Sequence, residues 1–308
     1  FNTNKEVTLE NSIANQLTNL GFNETMANSL TKEEYITFSE NLKSEFNVTM
    51  LNPLSNELKV MRQSLLFSGL ESISYNINRK NSSLKLYEFG KTYHKYERGY
   101  QEDKHLTLFV SGAKTKDSWT HVSKNSDFFY LKGIVMSILE RIGVTNLKTS
   151  SVKSDLFSEG IAFSLGKNKL VEFGVINKRV LKEFGIKQEV LFADFDWKSL
   201  NEISGKKKIK VSSLLKFPSV KRDLALLIDE KVTFKEIYNL SFQVERNLLK
   251  DVGLFDVYQG DKLPEGKKSY AVSFVLQDSN KTLKDAQIDK IMQKLQQSFE
   301  KNLEAVLR

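Results

Sequence analysis

The last hundred residues resolve into six elements when read as a pattern of apolar and polar positions. Arg222-Asp-Leu-Ala-Leu-Leu-Ile-Asp229 has the make-up of a strand. Thr233-Phe-Lys-Glu236 then has the form of a capping box, and Ile237, Leu240 and Val244 follow at helical spacing. Two strands come next, Val252–Tyr258 and Lys268–Leu276, joined by a turn containing Pro264 and Gly266. Thr282-Leu-Lys-Asp285 is read as the cap of a second helix, whose Ile288, Ile291, Met292, Leu295 and Phe299 recur on one stripe. A short strand, Ala305–Arg308, closes the series.

The order β-α-β-β-α-β is that of a ferredoxin-like split βαβ unit, which puts both helices on one face of the sheet and leaves the other open. Strand parity sorts the side chains between these faces. Leu224, Leu226 and Ile228 oppose Ala225 and Leu227. Phe255 and Val257 oppose Asp256 and Tyr258, and Tyr270, Val272, Phe274 and Leu276 oppose Ser269, Ala271 and Ser273. The first set in each strand is expected under the helices, Phe255 included. The open face is then small or polar around one aromatic, Tyr258. Such a surface suits an unstacked base, which lies on a ring and hydrogen-bonds nearby polar groups. It is equally what any half-buried antiparallel sheet shows to water.

The longer first segment is mixed. Thr8 to Leu20 reads as an amphipathic helix with Leu9, Ile13, Leu17 and Leu20 on one stripe, and Thr31-Lys-Glu-Glu34 as the cap of a short second helix. Strands are expected at Lys85–Phe89, Leu106–Ser111, Phe163–Leu165 and Leu170–Ile176, with a helix from Phe128 to Ile142 between them. Strands so close in sequence favour an antiparallel sheet flanked by helices, and the whole chain is α+β. The polar stretch Ser204-Gly205-Lys206-Lys207-Lys208 marks the boundary, giving domains at 1–204 and 211–308.

Composition narrows the chemistry. In 308 residues there is no Cys, which excludes disulfides, thiolate metal sites and a cysteine nucleophile, and only three His, at positions 94, 105 and 121. The net charge of +8 is interleaved, and its densest run, Lys206, Lys207, Lys208 and Lys210, reads as a solvated linker. No apolar stretch approaches the ~20 residues of a membrane span, and no basic-then-apolar signal segment opens the chain, so the expected location is cytoplasmic. The chain opens at Phe1 and not Met, as a fragment of a longer protein would. Phosphate loops, dinucleotide fingerprints, zinc-protease helices and nucleophile elbows are absent. The carboxylate pairs Glu33–Glu34 and Asp194–Asp196 read as solvated charges, and His105 as a surface or hydrogen-bonded residue.

Several motifs together carry a resemblance. Phe217-Pro-Ser-Val-Lys-Arg-Asp-Leu-Ala-Leu-Leu-Ile-Asp229, Leu254-Phe-Asp-Val-Tyr258, Gly266-Lys-Lys-Ser-Tyr270, Gln277-Asp278 with Lys281-Thr-Leu283, and Leu307-Arg308 stand in the order of the ferredoxin-fold anticodon-binding domain of phenylalanyl-tRNA synthetases. Upstream, Asn52-Pro-Leu-Ser-Asn-Glu57, Met61-Arg-Gln-Ser-Leu-Leu66, Leu86-Tyr-Glu-Phe-Gly90 and Leu131-Lys-Gly133 resemble the catalytic-like module of the bacterial β subunits of that family. Phe157-Ser-Glu-Gly160 departs from the family's pattern, which has a His-Pro-Gly-Arg-like turn there.

The resemblance implies a class II aminoacyl-tRNA synthetase-like antiparallel sheet domain that has lost its active site, followed by an anticodon-binding domain. The implied partners are a catalytic α subunit and tRNA-Phe, with no membrane. ATP and magnesium would serve the holoenzyme chiefly through α, and no cofactor is implied for this chain. The sequence has neither the Arg-x-Glu after the motif-2-like strand nor the Gly-x-Gly-x-x-Arg of motif 3, whose planar guanidinium forks would hold ATP phosphates. Carried over by motif, the anticodon's first base would stack on Tyr258, with contacts from Asp256, Ser269 and Ala225. Because class II folds pair through their cores, the Asn52–Leu66 segment, with Arg62 and Leu66, is the expected part of the α interface, Arg62 being read either as serving it or as bracing the local fold. Three other readings are a purely structural interaction subunit without RNA contact, a small-ligand regulatory module and a catalytic class II domain. The glycine-free loop Asp229-Glu-Lys-Val-Thr233 disfavours the second, and the missing arginines the third.

Overall fold

The computed structural model describes residues 5–53, 55–144, 146–204, 211, 214–260 and 262–308. The chain divides into two compact units, Phe1–Ile209 and Lys210–Arg308. The basic run of Lys206 to Lys208 and Lys210, expected as a linker, lies outside the described residues.

The first unit runs α1 (Lys5–Asn19), β1 (Asn23–Glu24), β2 (Leu30–Thr31), β3 (Val60–Met61), α2 (Leu66–Ile77), β4 (Leu84–Tyr96), β5 (Gly99–Ser111), α3 (Phe128–Ile142), β6 (Lys148–Ser151), β7 (Phe157–Leu165), β8 (Asn168–Ile176), α4 (Lys178–Glu183), β9 (Val190–Asp196) and α5 (Trp197–Ser204). The large sheet has the order β1-β4-β5-β9-β8-β7-β6. Every pairing in it is antiparallel except β1 with β4. Alternation along β5 shows how both faces are buried. Leu106, Leu108 and Val110 join α1, α3 and α5 in one core, while Phe109 joins α2 and α4 in the other. Gly69 lets α2 lie directly on the sheet, since a Cβ there would fall 2.0 Å from Phe109 Cζ.

The expected α1 and α3 are present. The Asp127 carboxylate accepts from the Tyr130 N–H at 2.8 Å to start α3, and Gly143, at φ 82°, ends it in the left-handed conformation. Thr31–Glu34 differs from expectation: Thr31 lies in β2, and Glu33–Phe38 is a 3₁₀ segment without a side-chain cap. Phe157–Gly160 is the start of β7, with a register irregularity between Phe157 and Glu159. Leu20 falls beyond the end of α1 and is exposed. The short β1, β2, β3, β6, α4 and α5 were not read from the sequence, and neither were α2 and β9. Leu66 to Leu70 is buried on every side, which hides the start of α2 although Glu71 and Tyr75 are exposed further along, and β9 is almost continuously buried.

The second unit runs β10 (Val220–Asp229), α6 (Phe234–Val244), β11 (Leu249–Tyr258), β12 (Lys267–Leu276), α7 (Asp285–Leu303) and β13 (Val306–Leu307). Its sheet order is β11-β12-β10-β13, antiparallel throughout, which is the expected ferredoxin-like topology. The box at Thr233 forms: the Glu236 carboxylate accepts from both the N–H and the hydroxyl of Thr233, each at 2.7 Å. These bonds to the charged form hold the Glu236 carboxyl below its usual range. The second helix starts later than Thr282 suggests. Lys284 is its N-cap, and its backbone N–H donates to the Gln287 side chain at 3.4 Å. Leu226, Ile228, Val272, Phe274 and Leu276 meet Ile237, Ile288, Leu295 and Phe299 in a single core. Among the described residues, no helix is long and apolar enough to cross a membrane.

Candidate nucleic-acid interface

The face of the second sheet that points away from α6 and α7 is ordered in rows. Asp256, Ala271 and Ala225 stand side by side across β11, β12 and β10, and Tyr258, Ser269 and Leu227 form the next row. Directly opposed Cβ atoms on such rows lie about 4.5–5.5 Å apart. Two alanines between the Asp256 carboxylate and β13 leave a shallow floor, and the Tyr258 ring stands beside it, 37% exposed. Parity thus brings Tyr258, Asp256, Ala225 and Ser269 together as expected. Ser269 sits lowest, only 8% exposed between its neighbours.

Two features were missed. The Arg308 backbone N–H donates to the Ala225 carbonyl at 3.0 Å, and its guanidinium reaches back to lie 5.7 Å from the Tyr258 ring centroid. The signal was available: a basic residue adjoins a strand that borders the open face. The second miss is an error of parity. The ladder shifts between Leu254 and Asp256, so Phe255 is an extra residue in β11. Its ring is 57% exposed and not under the helices, and Val257, expected there with it, is 50% exposed and outside the core.

In the first unit, Arg62 and Leu66 do not form a surface. Arg62 is 4% exposed and Leu66 0%, within the core that α2 builds. Arg62 Nη1 lies 2.8 Å from Glu88 Oε1, and Nε donates to the Lys91 carbonyl at 3.0 Å. Its backbone N–H donates to the Ser29 carbonyl at 2.9 Å, and its own carbonyl accepts from the Tyr93 N–H at 3.0 Å. Arg62 takes the second of its two expected roles, a brace between loop and sheet, and the interface expected at the Arg62 and Leu66 side chains is corrected accordingly. Burial pushes the Glu88 carboxyl up, against the opposing pull of Arg62.

An open cleft of about 600 Å³ is lined by Gln63, Thr92, His94, Gln101, Asp103, His105, Lys169, Asp196, Lys198, Ser199 and Glu202. His105 is hydrogen-bonded, as expected, with Nδ1 2.7 Å from Asp194 Oδ1 and Nε2 3.2 Å from Thr92 Oγ1. Burial disfavours its charged form, but Asp194 outweighs this and holds the imidazole above its ordinary value. Asp196 is likewise engaged, accepting from the Ser199 hydroxyl at 2.6 Å. The cleft holds three carboxylates against two lysines and no arginine, an unfavourable lining for a triphosphate. No group of three or more metal-ligating side chains occurs among the described residues.

The family model described as the phenylalanyl tRNA synthetase beta chain CLM domain matches residues 2–197. The chain belongs to the phenylalanyl-tRNA synthetase beta chain family. The model of the ferredoxin-fold anticodon binding domain matches residues 216–308. The phenylalanine–tRNA ligase beta subunit of Bacteroides thetaiotaomicron is 46% identical over 312 residues, covering 97% of this chain and 38% of that protein. That of Porphyromonas gingivalis is 41% identical, covering 99% of this chain and 39% of the relative. The chain therefore spans about two fifths of the length of these curated relatives. Among solved structures, the pyrrolysyl-tRNA synthetase PylSc of Desulfitobacterium hafniense superposes with a TM-score of 0.51 at 16% identity, over 65% of this chain and 68% of that one. At that identity the likeness speaks for the fold, that of a class II synthetase.

Proposed function

We propose that this chain is part of the beta subunit of a cytoplasmic phenylalanine–tRNA ligase, and that its 211–308 domain takes up the anticodon of tRNA-Phe on the open sheet face. The 1–204 domain scaffolds the catalytic alpha subunit, which activates phenylalanine with ATP and magnesium; this chain contributes no adenylate chemistry of its own. The observation that carries the reading is the row structure around Tyr258. An exposed ring beside two in-register alanines gives a base a face to stack on and a floor to lie over. Asp256 accepts hydrogen bonds only from a base edge with a suitably placed donor. The Arg308 guanidinium adds a cation above the same ring. The absence from the sequence of the Arg-x-Glu and Gly-x-Gly-x-x-Arg patterns supports the division of labour.

The test is titration of the full chain with the tRNA-Phe anticodon stem-loop at fixed salt. A base–aromatic stack is worth roughly 1–3 kcal/mol, so Tyr258→Ala should weaken binding about tenfold or more, while Tyr258→Phe keeps most of it. Asp256→Ala should lose discrimination among first-position bases more than affinity. Binding unchanged by Tyr258→Ala would place the anticodon elsewhere and favour a subunit that contacts protein alone.

A further inference from the structure

Resting on the anticodon reading, we propose that Phe255 and Lys221 form a second nucleotide subsite, which stacks the base next to the one held on Tyr258. A single exposed phenylalanine is ordinary on a protein surface. Phe255 is not a stray residue of that kind. Leu254 faces the core opposite Val272, and Asp256 faces outward opposite Ala271, so the extra residue between them is what lets the strand change phase. Bulges re-aim side chains in this way, often next to functional sites. The side chain so released is a large aromatic, on the strand that carries Tyr258.

Lys221 fixes which way the ring points. It lies opposite Val275 on β10, in phase with Asp223 and Ala225, and so belongs to the open face. Its Nζ is 5.5 Å from the Phe255 ring centroid. The ring therefore turns onto the open face and not into the helices. An aromatic plane with a cation beside it matches the two parts of a nucleotide, a π-surface and a phosphate. At ~3.3 Å of rise per residue, positions 255 and 258 are spaced roughly as neighbouring nucleotides of an unstacked strand can span. Tyr258 with Arg308 and Phe255 with Lys221 are then two aromatic–cation pairs on one face.

The experiment titrates the full chain with the tRNA-Phe anticodon stem-loop and with the same loop lacking its second anticodon base. Phe255→Ala should weaken the intact loop at least about fivefold, Phe255→Tyr should bind like the parent, and Phe255→Ala should cost nothing further on the loop without that base. Lys221→Met should lower the slope of log affinity against log salt by about one. Tyr258→Ala is run alongside. If it weakens binding and Phe255→Ala does not, the second subsite is wrong while the anticodon reading stands. An equal loss by Phe255→Ala on both loops would also overturn the assignment. If neither variant weakens binding, the anticodon reading fails and this inference falls with it.

Discussion

Arg62→Ala should destabilise the first unit by about 3–5 kcal/mol. The substitution removes the cation 2.8 Å from Glu88 Oε1 and leaves that carboxylate in the core. It also removes the donor to the Lys91 carbonyl, so the loop before α2 loses its side-chain tie to β4. The effect should depend on pH with a definite sign. The folded-state Glu88 carboxyl is already raised by burial, and without Arg62 it must rise further. A group raised in the folded state favours folding when protonated, so the penalty should shrink as pH falls through the raised value and be full at neutral pH. Arg62→Met with Glu88→Met should recover much of the loss, because a well-packed apolar pair carries no desolvation cost. Both tryptophans, Trp119 and Trp197, lie in the first unit and Trp197 is fully buried. Tryptophan fluorescence in urea therefore follows this unit alone. A loss under 1 kcal/mol at neutral pH, with no pH dependence, would show that the pair is not the brace described.

The second large effect is a contrast within one sheet. Phe274→Ala should cost about 3–5 kcal/mol, whereas Phe255→Ala should stay within about 0.5 kcal/mol. Phe274 is fully buried and packs on Phe299, with ring centroids 6.0 Å apart across the sheet–helix interface. Removing it opens a cavity between β12 and α7. Phe255 has no such enclosure. Amide hydrogen exchange in β10 and β12 reads the opening of this unit directly, and similar losses for both variants would mean that the bulge does not turn Phe255 outward.

Those two phenylalanines also show where the sequence was legible. Along β12 the parity holds without a break: Tyr270, Val272, Phe274 and Leu276 are buried on the helix side, while Ser269 and Ser273 on the other face are low-lying in this central strand. Along β11 the same rule is right at Asp256 and Tyr258, but carried back one residue it buries Phe255. A bulge adds a residue without leaving a mark in hydrophobicity, so only the ladder reveals it. The apolar stripe of α3 was readable because the helix lies on the surface with one apolar side, whereas its Asp127 and Gly143 caps emerged only with the structure. In β9, and in the first turns of α2, burial on both sides erases the stripe on which periodicity depends. Tyr258, Asp256 and Ala225 could be grouped from parity because they share a face through neighbouring strands. For Arg308 the sequence offered only its place beside the last strand, and its approach to Tyr258 depends on a long side chain crossing the sheet. Of the two roles read for Arg62, only the fold decides for the brace, because its partner Glu88 lies on another element in the core.

The claim that the open face of the second sheet is the RNA surface is tested most directly by mapping amide chemical shifts of the full chain during titration with the tRNA-Phe anticodon stem-loop. The expected result is a set of perturbations at Ala225, Phe255 to Tyr258, Ser269 to Ala271 and Arg308, with α6 and the outer side of α7 unmoved. Perturbations confined to those helices or to the first unit, with the Tyr258 row silent, would contradict it.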